Sequence, residues 1–373
     1  MTGGVLDLLV AGGGPAGLVT ALHAARAGLK TEVWEPRAGA TDGGIDGGID
    51  GGIDGGIDGG IDGGIDKACG EGLMPGALAA LLRLGVDPPG HPFHGIRYVG
   101  AGRSADARFR AGPGRGIRRT TLHRALRDAA VAAGARIVAR PVTDVRQDDR
   151  GVTAAGVRAR HLVAADGLHS PVRRALGLDV PGSRHPRFGL RRHFRVAPWS
   201  PYVEVHWGRD VEAYVTPVAP DLVGVAVLGS TKGSFDAKLR TLPDLAALLD
   251  DGEPAGGVRG AGPLRQGSRR RVAGRVLLVG DAAGYVDALT GEGLALAFAQ
   301  AEAAVRAVVD GDPRRYEPDW TALTRRYRLL TAALVVGTRP KLARRALVPA
   351  SRLLAPLFRG TVDALARPVG GHG

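Results

Sequence analysis

The amino-acid sequence predicts an α/β fold: a Rossmann-like nucleotide-binding domain, a second, smaller antiparallel-sheet domain and a helical C-terminus. Three observations lead to this prediction. Near the N-terminus, a short apolar strand runs directly into a glycine-rich turn and a helix, as in nucleotide-binding domains. Residues 188–228 are rich in strand formers interrupted by prolines, which is typical of an antiparallel sheet. Residues 313–373 interleave leucines with basic residues at helical spacing.

The elements follow the chain in an order that divides each domain into separate stretches. Strands are predicted at 5–10, 31–34, 136–145, 152–163 and 275–280, and helices at 15–28, 122–133 and 291–309. The nucleotide-binding domain is therefore predicted at 1–90, 114–176 and 265–312, the second domain at 91–113 and 177–264, and a basic helical region at 313–373.

Composition excludes several classes of protein. Hydrophobic residues make up 44% of the 373 residues and charged residues 23%, which is an ordinary globular balance. The sequence lacks the run of about 20 apolar residues that a membrane span needs. It also lacks a basic, apolar leader, so we expect a cytoplasmic protein. The single cysteine, Cys69, excludes a disulfide framework and a cysteine metal site, and no metal is predicted.

Charge is concentrated at the C-terminal end of the chain. The net charge is +13, and residues 313–373 contain 12 basic and 3 acidic residues. These residues carry no aromatic stacking platform, so nucleic acid is not predicted as a partner. Two interpretations of this region stay open. Its leucines cover the nucleotide-binding domain while its arginines face solvent, or the region forms a basic amphipathic surface for peripheral membrane contact.

Residues 43–66 are six copies of the tetrapeptide Gly-Gly-Ile-Asp. A four-residue unit with two glycines buries no face against its neighbours, and ordering so many glycines is costly in backbone entropy. We therefore predict a flexible tandem-repeat loop without a metal-binding role. The last unit runs directly into the sequence Lys-Ala-Cys-Gly-Glu-Gly, which indicates that one native unit was duplicated in place.

The glycine-rich turn after the first strand has the pattern Gly12-x-Gly14-x-x-Gly17. Gly12 permits a tight turn, Gly14 lets a pyrophosphate approach the backbone, and Gly17 lets helix and strand pack closely. The free amides and the positive end of the helix dipole then favour the phosphate charge. Glu35, at the end of the second strand, is placed to accept hydrogen bonds from a ribose.

Two later segments also join a strand to a turn or helix. The first is 164–173, with Asp166 followed by glycine, and the second runs from Gly280 and Asp281 to the sequence Thr-Gly-Glu-Gly at 290–293. An aspartate at a strand end can hold a polyol hydroxyl. The glycines at 291 and 293 let a planar ring lie against the start of a helix. Either segment alone is equally consistent with a capped turn.

Together, the three segments resemble the fingerprints of the single-Rossmann FAD-dependent oxidoreductases. This superfamily includes hydroxylases similar to para-hydroxybenzoate hydroxylase and reductases similar to geranylgeranyl reductase. The resemblance covers most of residues 1–310 and implies FAD as the cofactor, with NAD(P)H as co-substrate. The cofactor-binding residues that it implies are Gly12, Gly14, Pro15, Ala16, Gly17, Glu35, Arg119, Asp166, Gly280, Asp281, Gly291, Glu292 and Gly293.

The sequence from Asp66 to Pro75 resembles the loop that passes near the flavin in the reductase-like branch. Cys69 then lies near the flavin; the alternative is a small buried residue in a glycine turn. Nothing around Cys69 indicates a depressed thiol pKa, so we do not predict a nucleophile. The catalytic residues stay unknown, because the chemistry in this superfamily belongs to the flavin. The predicted second sheet offers six candidate residues for a substrate pocket: Arg191, Arg192, His193, His206, Trp207 and Tyr214.

The resemblance leaves three functions open. We favour a monooxygenase that hydroxylates an aromatic or polyketide-like compound of secondary metabolism with NAD(P)H and oxygen. The alternative is a reductase of isoprenoid double bonds, which the Cys-Gly-Glu-Gly and Thr-Gly-Glu-Gly sequences favour by resemblance. A third possibility is a flavin-binding protein without turnover. The expected substrate is a small apolar or aromatic molecule.

Overall fold

The computed structural model describes residues 4–38 and 65–369. Within these ranges the chain forms three β-sheets and ten α-helices. The predicted fold class is confirmed: the fold is mixed α/β, a second sheet is predominantly antiparallel, and the C-terminal residues are helical. The predicted repeat loop at 43–66 lies outside the described residues, apart from Ile65 and Asp66.

The largest sheet forms the core of the half of the molecule that the sequence predicts to bind a nucleotide. Its central strands run parallel in the order β18-β11-β1-β2-β8, and short antiparallel strands extend it. Its strands, numbered along the chain, are β1 (Leu6–Ala11), β2 (Thr31–Trp34), β8 (Arg136–Val138), β9 (Arg146–Asp148), β10 (Gly151–Ala154), β11 (Val157–Ala164), β17 (Val272–Ala273) and β18 (Val276–Leu278). The sequence at 152–163, predicted as one strand, is a hairpin that turns at Ala155 and Gly156.

Helices cover this sheet because its strands are apolar on both faces, as expected for parallel strands. They are α1 (Pro15–Arg26), α2 (Pro75–Arg83), α3 (Arg119–Ala132), α4 (Pro171–Ala175) and α7 (Gly293–Val309). Helix α1 packs against both α3 and α7. Leu8, Val10 and Leu277 are fully buried in the resulting core.

The second sheet has the order β16-β12-β15-β14-β13-β5-β6 and is antiparallel except where β5 runs parallel to β13. Its strands are β5 (Gly95–Gly100), β6 (Arg103–Arg108), β12 (Phe188–Arg195), β13 (Val203–Trp207), β14 (Val211–Ala219), β15 (Leu222–Gly229) and β16 (Glu253–Ala261). Two short helices, α5 (Phe235–Leu239) and α6 (Pro243–Leu248), bury Phe235 and Leu245 against Phe194 and Val225 on one face. The opposite face is therefore available to line a site.

A small sheet joins the two halves. It consists of β3 (Gly72–Leu73), β7 (Gly114–Gly116) and β4 (His91–Phe93), with β7 in the centre. A Cβ atom on Gly116 would lie 1.8 Å from the carbonyl oxygen of Pro217 in β14. Only glycine permits so close a contact between two backbones. Residues 66–73, which precede α2, are thereby held against the second sheet.

Three C-terminal helices close the remaining side: α8 (Tyr316–Gly337), α9 (Lys341–Leu353) and α10 (Ala355–Ala366). Helix α8 packs on α7, whereas α9 and α10 pack on β5 and β6. Among the described residues, none of the helices combines the length and the apolar character that crossing a bilayer would require. On α9, Arg344 is buried and its Nη2 lies 2.7 Å from Oε2 of the fully buried Glu212 on β14.

Replacing Arg344 with leucine is expected to loosen α9. The change removes a charged partner from Glu212, although Arg187 still contacts the other carboxylate oxygen. Loss of one partner of a buried charge costs about 2 kcal/mol. Limited trypsin digestion should cleave after Lys341, at the start of α9, faster in this variant than in the wild type. An equal rate in Arg344→Leu and in a control variant at the exposed Arg345 would contradict the prediction.

Candidate functional site

A continuous cleft, with a volume of about 320 Å³, lies between the carboxyl ends of β1, β2 and β11 and the free face of the second sheet. Open α/β sheets bind their ligands outside the carboxyl ends of the strands. The glycine-rich turn lines one end of the cleft and α8 and α10 line the other. Eleven of the thirteen predicted cofactor-binding residues line its inner half, as does Cys69; the eleven are Gly12, Gly14, Pro15, Ala16, Glu35, Arg119, Asp166, Gly280, Asp281, Gly291 and Gly293.

The glycine-rich turn adopts the geometry that its pattern predicts. Gly12 has φ +97°, in the left-handed region that favours glycine. A Cβ atom on Gly17 would lie 1.9 Å from the carbonyl oxygen of Gly12, so Gly17 is required for packing and does not line the cleft. Gly14 does line it, and a Cβ there would meet only Nη2 of Arg119, at 3.7 Å. The backbone at Gly14 is therefore open to a ligand.

Glu35 is buried beside this turn. Its Oε2 accepts a hydrogen bond from the Gly13 amide at 2.9 Å, and its Oε1 accepts one from Arg37 Nε at 3.0 Å. Burial would raise the pKa of Glu35, but Arg37 and the Gly13 amide hold it below its ordinary value. The charged carboxylate thus lies at the end of β2, where we predict that it receives ribose hydroxyls.

His123 on α3 supports the same turn. Its Nε2 lies 3.0 Å from the carbonyl oxygen of Gly13. Burial and the nearby Arg119 lower the pKa of His123 to about 4, so the ring is neutral at physiological pH. Because a carbonyl only accepts hydrogen bonds, Nε2 carries the proton and donates it. No motif in the sequence indicated a role for His123 in this turn.

Arg173 joins the two later motifs. Its guanidinium is buried and donates to the carbonyl oxygens of Leu168 and Ala282, each at 3.0 Å, and its Nε lies 2.5 Å from Asp179. The segment containing Asp166 is thereby held against the segment containing Asp281. Burial raises the pKa of both aspartates. Both carboxyl groups line the cleft, where they can hold hydroxyl or phosphate groups.

The loop at 287–293 approaches the cleft with its backbone. Gly291 and Gly293 line the cleft, and Gly293 begins α7. Helix α8 holds this loop, because Tyr327 donates to the carbonyl oxygen of Asp287 at 2.9 Å and the Thr331 hydroxyl lies 3.0 Å from that of Thr290. The C-terminal region therefore shapes the place where we predict the flavin ring.

Glu292 does not line the cleft. Its side chain is buried toward α8, with Oε1 3.6 Å from Arg326 Nη2. Burial raises the pKa of Glu292 to about 7 despite the arginine. If Glu292 contributes to cofactor binding as predicted, it does so through its backbone and not through its carboxyl group.

The loop that carries Cys69 contributes to a buried carboxylate–histidine hydrogen bond that the sequence did not reveal. Glu71 is a non-glycine residue with φ +57°, and its Oε2 lies 2.6 Å from His193 Nε2 on β12. Its Oε1 accepts the Arg119 amide at 2.9 Å. Burial would raise the pKa of Glu71, but His193, Arg191 and the Arg119 amide together hold it below its ordinary value. Cys69 lies beside this pair, and burial raises the pKa of its thiol, which keeps the thiol protonated.

Arg191 determines the proton position on His193. Arg191 Nη1 lies 2.9 Å from His193 Nδ1, and a guanidinium can only donate, so Nδ1 accepts. The proton of His193 is thus on Nε2 and points at Glu71. Arg191 also contacts Asp66, whose other oxygen lies 3.2 Å from Arg259 Nε. These five residues, called here the Glu71 cluster, hold residues 66–71 against β12 and β16.

The sequence offered only weak signals for the Glu71 cluster. Glu71 lies between two glycines and His193 follows two arginines in a strand, but their separation of 122 residues hides the pair. Among the other candidate pocket residues of this sheet, Tyr214 lines the cleft. His206 does not, because its Nε2 lies 3.0 Å from Oε2 of Glu204, and Trp207 packs in a core cluster. Arg192 points away and contacts Asp236.

The inner half of the cleft fits FAD. Nε of Arg119 and Oδ1 of Asp166 are buried and, among the described residues, have no hydrogen-bond partner. Both residues line the cleft, next to the open backbone of Gly14. An arginine donor and the amides at the start of α1 suit a pyrophosphate. Asp166 and Asp281 suit polyol hydroxyls, so these residues would hold the phosphates and the ribityl chain.

The outer half of the cleft is apolar. Its lining side chains come from β4 of the small sheet, from the second sheet, from the loop before α7 and from the C-terminal helices: Phe93, Ile96, Val203, Val205, Leu289, Leu334, Val362 and Leu365. Two tyrosines also line it. Tyr214 donates to the carbonyl oxygen of Leu289 at 3.0 Å, and burial raises the pKa of Tyr98 to about 12. This half can therefore take a neutral, apolar molecule.

A second cavity, of about 380 Å³, lies behind the turn that follows β18. It shares Gly280, Asp281, Tyr285 and Gly293 with the first. Its wall includes Arg265, Arg271 and Arg328. The guanidinium carbon of Arg271 lies 3.9 Å from the ring centroid of Trp320, and that of Arg328 lies 5.1 Å from it. Burial and the other two arginines lower the pKa of Arg328.

The sequence and the fold of this chain are similar to those of several known proteins. Residues 92–225 match a family model described as an FAD binding domain. The menaquinone reductase of Mycolicibacterium smegmatis is 29% identical over 353 residues, covering 85% of this chain and 80% of that protein. The structure of flavin-dependent brominase Bmp2 superimposes with a TM-score of 0.76 at 15% identity, over 97% of this chain and 94% of that one.

A second solved structure, halogenase PltM in complex with phloroglucinol and FAD, has a TM-score of 0.72 at 15% identity. The match covers 98% of this chain and 88% of the halogenase. At these identities the likeness to the brominase and the halogenase is one of fold.

Proposed function

Because the chain belongs to the single-Rossmann FAD-dependent oxidoreductases, we propose that it is a reductase that saturates a double bond in a long isoprenoid chain. The M. smegmatis relative named menaquinone reductase supports this choice, because the match covers most of both proteins. The observation that carries the proposal is the apolar outer half of the cleft, which continues from the loop of Cys69 to the C-terminal helices.

The shape and polarity of the cleft suit a long hydrocarbon. Ile96 and Val205 from the second sheet, with Val362 and Leu365 from α10, offer contacts along its length. Such contacts orient an alkene and exclude water from the reacting carbons. When bound and reduced, FAD supplies a hydride for one carbon of the double bond, and a proton is needed at the other. The protonated Cys69 thiol and the Glu71–His193 pair lie at the inner end, where the protein can hold that proton.

The monooxygenase that the sequence analysis favours remains the second candidate. It is supported by the polar inner wall, where Arg191, Thr216 and Glu71 line the cleft. A phenolic hydroxyl could be held there beside the flavin. The outer half, however, would be left largely empty by a small phenol. This difference in the length of substrate that the cleft accommodates is our reason for placing the reductase first.

Mass spectrometry of the products distinguishes these functions. The purified holoprotein is incubated with NADPH and a prenylated quinone under nitrogen, and in parallel with candidate phenols under air. A reductase adds two hydrogen atoms to the prenyl chain without oxygen. A monooxygenase adds one oxygen atom and needs air. A protein that keeps FAD but yields neither product in either series, with the flavin staying oxidised, would favour the third possibility, flavin binding without turnover.

We further propose that the second cavity takes the phosphates of the NAD(P)H donor. Arg265, Arg271 and Arg328 lie at its wall, and although Arg271 pairs with Glu317 at 3.0 Å, a phosphate group there would offset the remaining positive charge. The cavity shares Gly293 and Asp281 with the cleft, so a dinucleotide lying there would reach the flavin end. This assignment rests on the charge and position of the cavity.

Replacing Arg328 with alanine is expected to raise the KM for NADPH about tenfold, because a hydrogen bond to a charged group contributes about 1.5 kcal/mol or more. Anaerobic reduction of the bound FAD should slow at low NADPH but should be unchanged with dithionite. Arg325→Ala, an exposed arginine on the same helix, is the matched control. If both variants have the wild-type KM, the donor binds elsewhere.

A further inference from the structure

Helix α9 has two different sides. On one side, Arg344, Val348 and Ser351 are buried against the second sheet. Arg344 donates to the carbonyl oxygen of Gly208 at 3.0 Å as well as to Glu212, which fixes the orientation of the helix. The remaining side of α9 is therefore held facing outward.

The outward side of α9 carries large apolar side chains. Leu342 is 78% exposed and Leu353 is 84% exposed, and the first turn of α10 adds Leu357 at 67%. Ala346 and Ala350 lie between the first two at intervals of three or four residues, and both are exposed. Of the twelve large hydrophobic residues that are exposed in the described chain, six lie between Leu329 and Leu357. An apolar stripe of this kind marks an interaction surface.

Basic side chains flank this stripe. Lys341, Arg345, Arg352 and Arg359 are all exposed. The carboxylate on α10, Asp363, lies 3.0 Å from Arg110 and is mostly buried. Asp210, on the loop before β14, faces α9 at 3.8 Å from Lys341. The exposed charge of this side of α9 and α10 is therefore strongly positive.

We propose that the α9–α10 face, formed by Leu342, Ala346, Ala350, Leu353, Leu357 and the four flanking basic residues, binds the surface of an anionic phospholipid bilayer. A helix with apolar residues on one face and lysine or arginine beside them lies in the membrane interface, where leucines enter the acyl boundary and cations meet the headgroups. The exposed apolar stripe would contact the acyl chains, and the excess of positive charge would attract the anionic headgroups.

The position of this face connects it with the cleft. The inward side of α10 contributes Val362 and Leu365 to the apolar outer half of the cleft, and α8 contributes Leu334. A protein bound by the α9–α10 face would thus have the apolar end of its cleft next to the bilayer. On this side, an isoprenoid substrate could pass from the membrane into the cleft. This route rests on the proposed reductase function, whereas the membrane contact itself does not.

Sedimentation with vesicles tests the contact without substrate. The holoprotein is mixed with vesicles of phosphatidylcholine containing about 30% phosphatidylglycerol, and with pure phosphatidylcholine vesicles. We expect the protein to sediment with the anionic vesicles, and about 0.5 M salt to weaken this binding. A wild-type protein that stays in the supernatant with anionic vesicles at low salt would overturn the proposal.

Variants locate the binding on the face. Leu353→Ser combined with Leu357→Ser should lower the partition coefficient about tenfold or more, and Arg345→Gln or Arg352→Gln about fivefold each. The control is Leu82→Ser, which changes a leucine of α2 that is 43% exposed. Circular dichroism and FAD content should match the wild type, because all these side chains are exposed. Equal sedimentation of the leucine variant and the control would overturn the assignment.

Two further outcomes separate this proposal from its alternatives. If lipid-free wild-type protein forms a dimer that the leucine variant does not, and neither binds vesicles, the face joins two copies of the chain and the membrane proposal is wrong. Reduction of a prenylated quinone in detergent is measured separately. Vesicle binding without any reduction would leave the membrane contact standing and overturn the proposed reaction.

Discussion

Replacing Gly17 with alanine should abolish FAD binding and destabilise the protein by about 3 kcal/mol. The added Cβ would lie 1.9 Å from the carbonyl oxygen of Gly12 and 3.3 Å from Cβ of Ala165. Neither contact can be relieved by moving a flexible side chain, so α1 must shift away from β1 and β11. The measurements are the ratio of flavin to protein absorbance after purification and the apparent melting temperature.

Gly14→Ala provides the informative contrast. Here the added Cβ has open space, with Nη2 of Arg119 at 3.7 Å as the nearest atom. We expect an unchanged melting temperature for the FAD-free protein, but an FAD affinity lower by about tenfold or more, because the methyl group lies where the pyrophosphate approaches. Gly360→Ala, on α10 with nothing nearby, is the control for the substitution itself. Full FAD occupancy in the Gly14 variant would show that the phosphates lie elsewhere.

Among single substitutions of a polar residue, Glu71→Ala is expected to lower the stability of the protein most. The change leaves His193 Nε2–H and the Arg119 amide without their acceptor and removes the negative charge beside Arg191. Breaking a buried pair by removing one partner costs about 3–5 kcal/mol. The apparent melting temperature should fall by about 5 °C or more, and FAD occupancy should fall with it, since residues 67–71 line the predicted flavin end of the cleft.

The pH dependence of stability provides a second test of Glu71. The folded pKa of Glu71 lies below its ordinary value of 4.5, so its contribution to stability is fully present above pH 4.5. That contribution is lost as pH falls through the lowered folded pKa. The wild type should therefore lose stability more steeply below pH 4.5 than Glu71→Gln does. Glu302→Gln, at an exposed carboxylate on α7, should follow the wild-type curve.

A double-mutant cycle with Glu71→Gln and His193→Gln isolates the pair from the rest of the cluster. Because glutamine keeps the left-handed conformation at position 71, any backbone strain is the same in each variant that carries it. A coupling free energy near zero would contradict the hydrogen-bonded pair, whereas about 1 kcal/mol or more would support it.

Local sequence predicted the parts of the site that local geometry determines. The turn from Gly12 to Gly17 and the strand ends at Asp166 and Asp281 follow from strand, glycine and helix signals within a few residues of one another. The Glu71 cluster could not be predicted in this way. It requires residues 66–71 to meet β12 and β16, whose relative positions are determined only when the second sheet is assembled.

The C-terminal region shows the same limit. Its helices were predictable from the spacing of its leucines, but two interpretations of its role stayed open. The structure shows that α8 contacts the loop at 287–293 through Tyr327 and Thr331. Nothing in the sequence of a helix specifies which distant carbonyl group its tyrosine contacts, so this support of the predicted flavin-ring loop was not foreseen. The outward leucines of α9 are largely exposed, and the proposed bilayer would bury them.

Asp66 has a consequence for variation in the repeat number of this chain. It is the last residue of the sixth Gly-Gly-Ile-Asp unit, directly before Lys67, and it contacts Arg191 and Arg259 in the Glu71 cluster. Every unit ends in aspartate. Adding or removing whole units therefore places an aspartate before Lys67 each time, and the buried arginines always have the same acidic partner. The contact is independent of copy number, so chains of different repeat length can present an identical flavin-side loop.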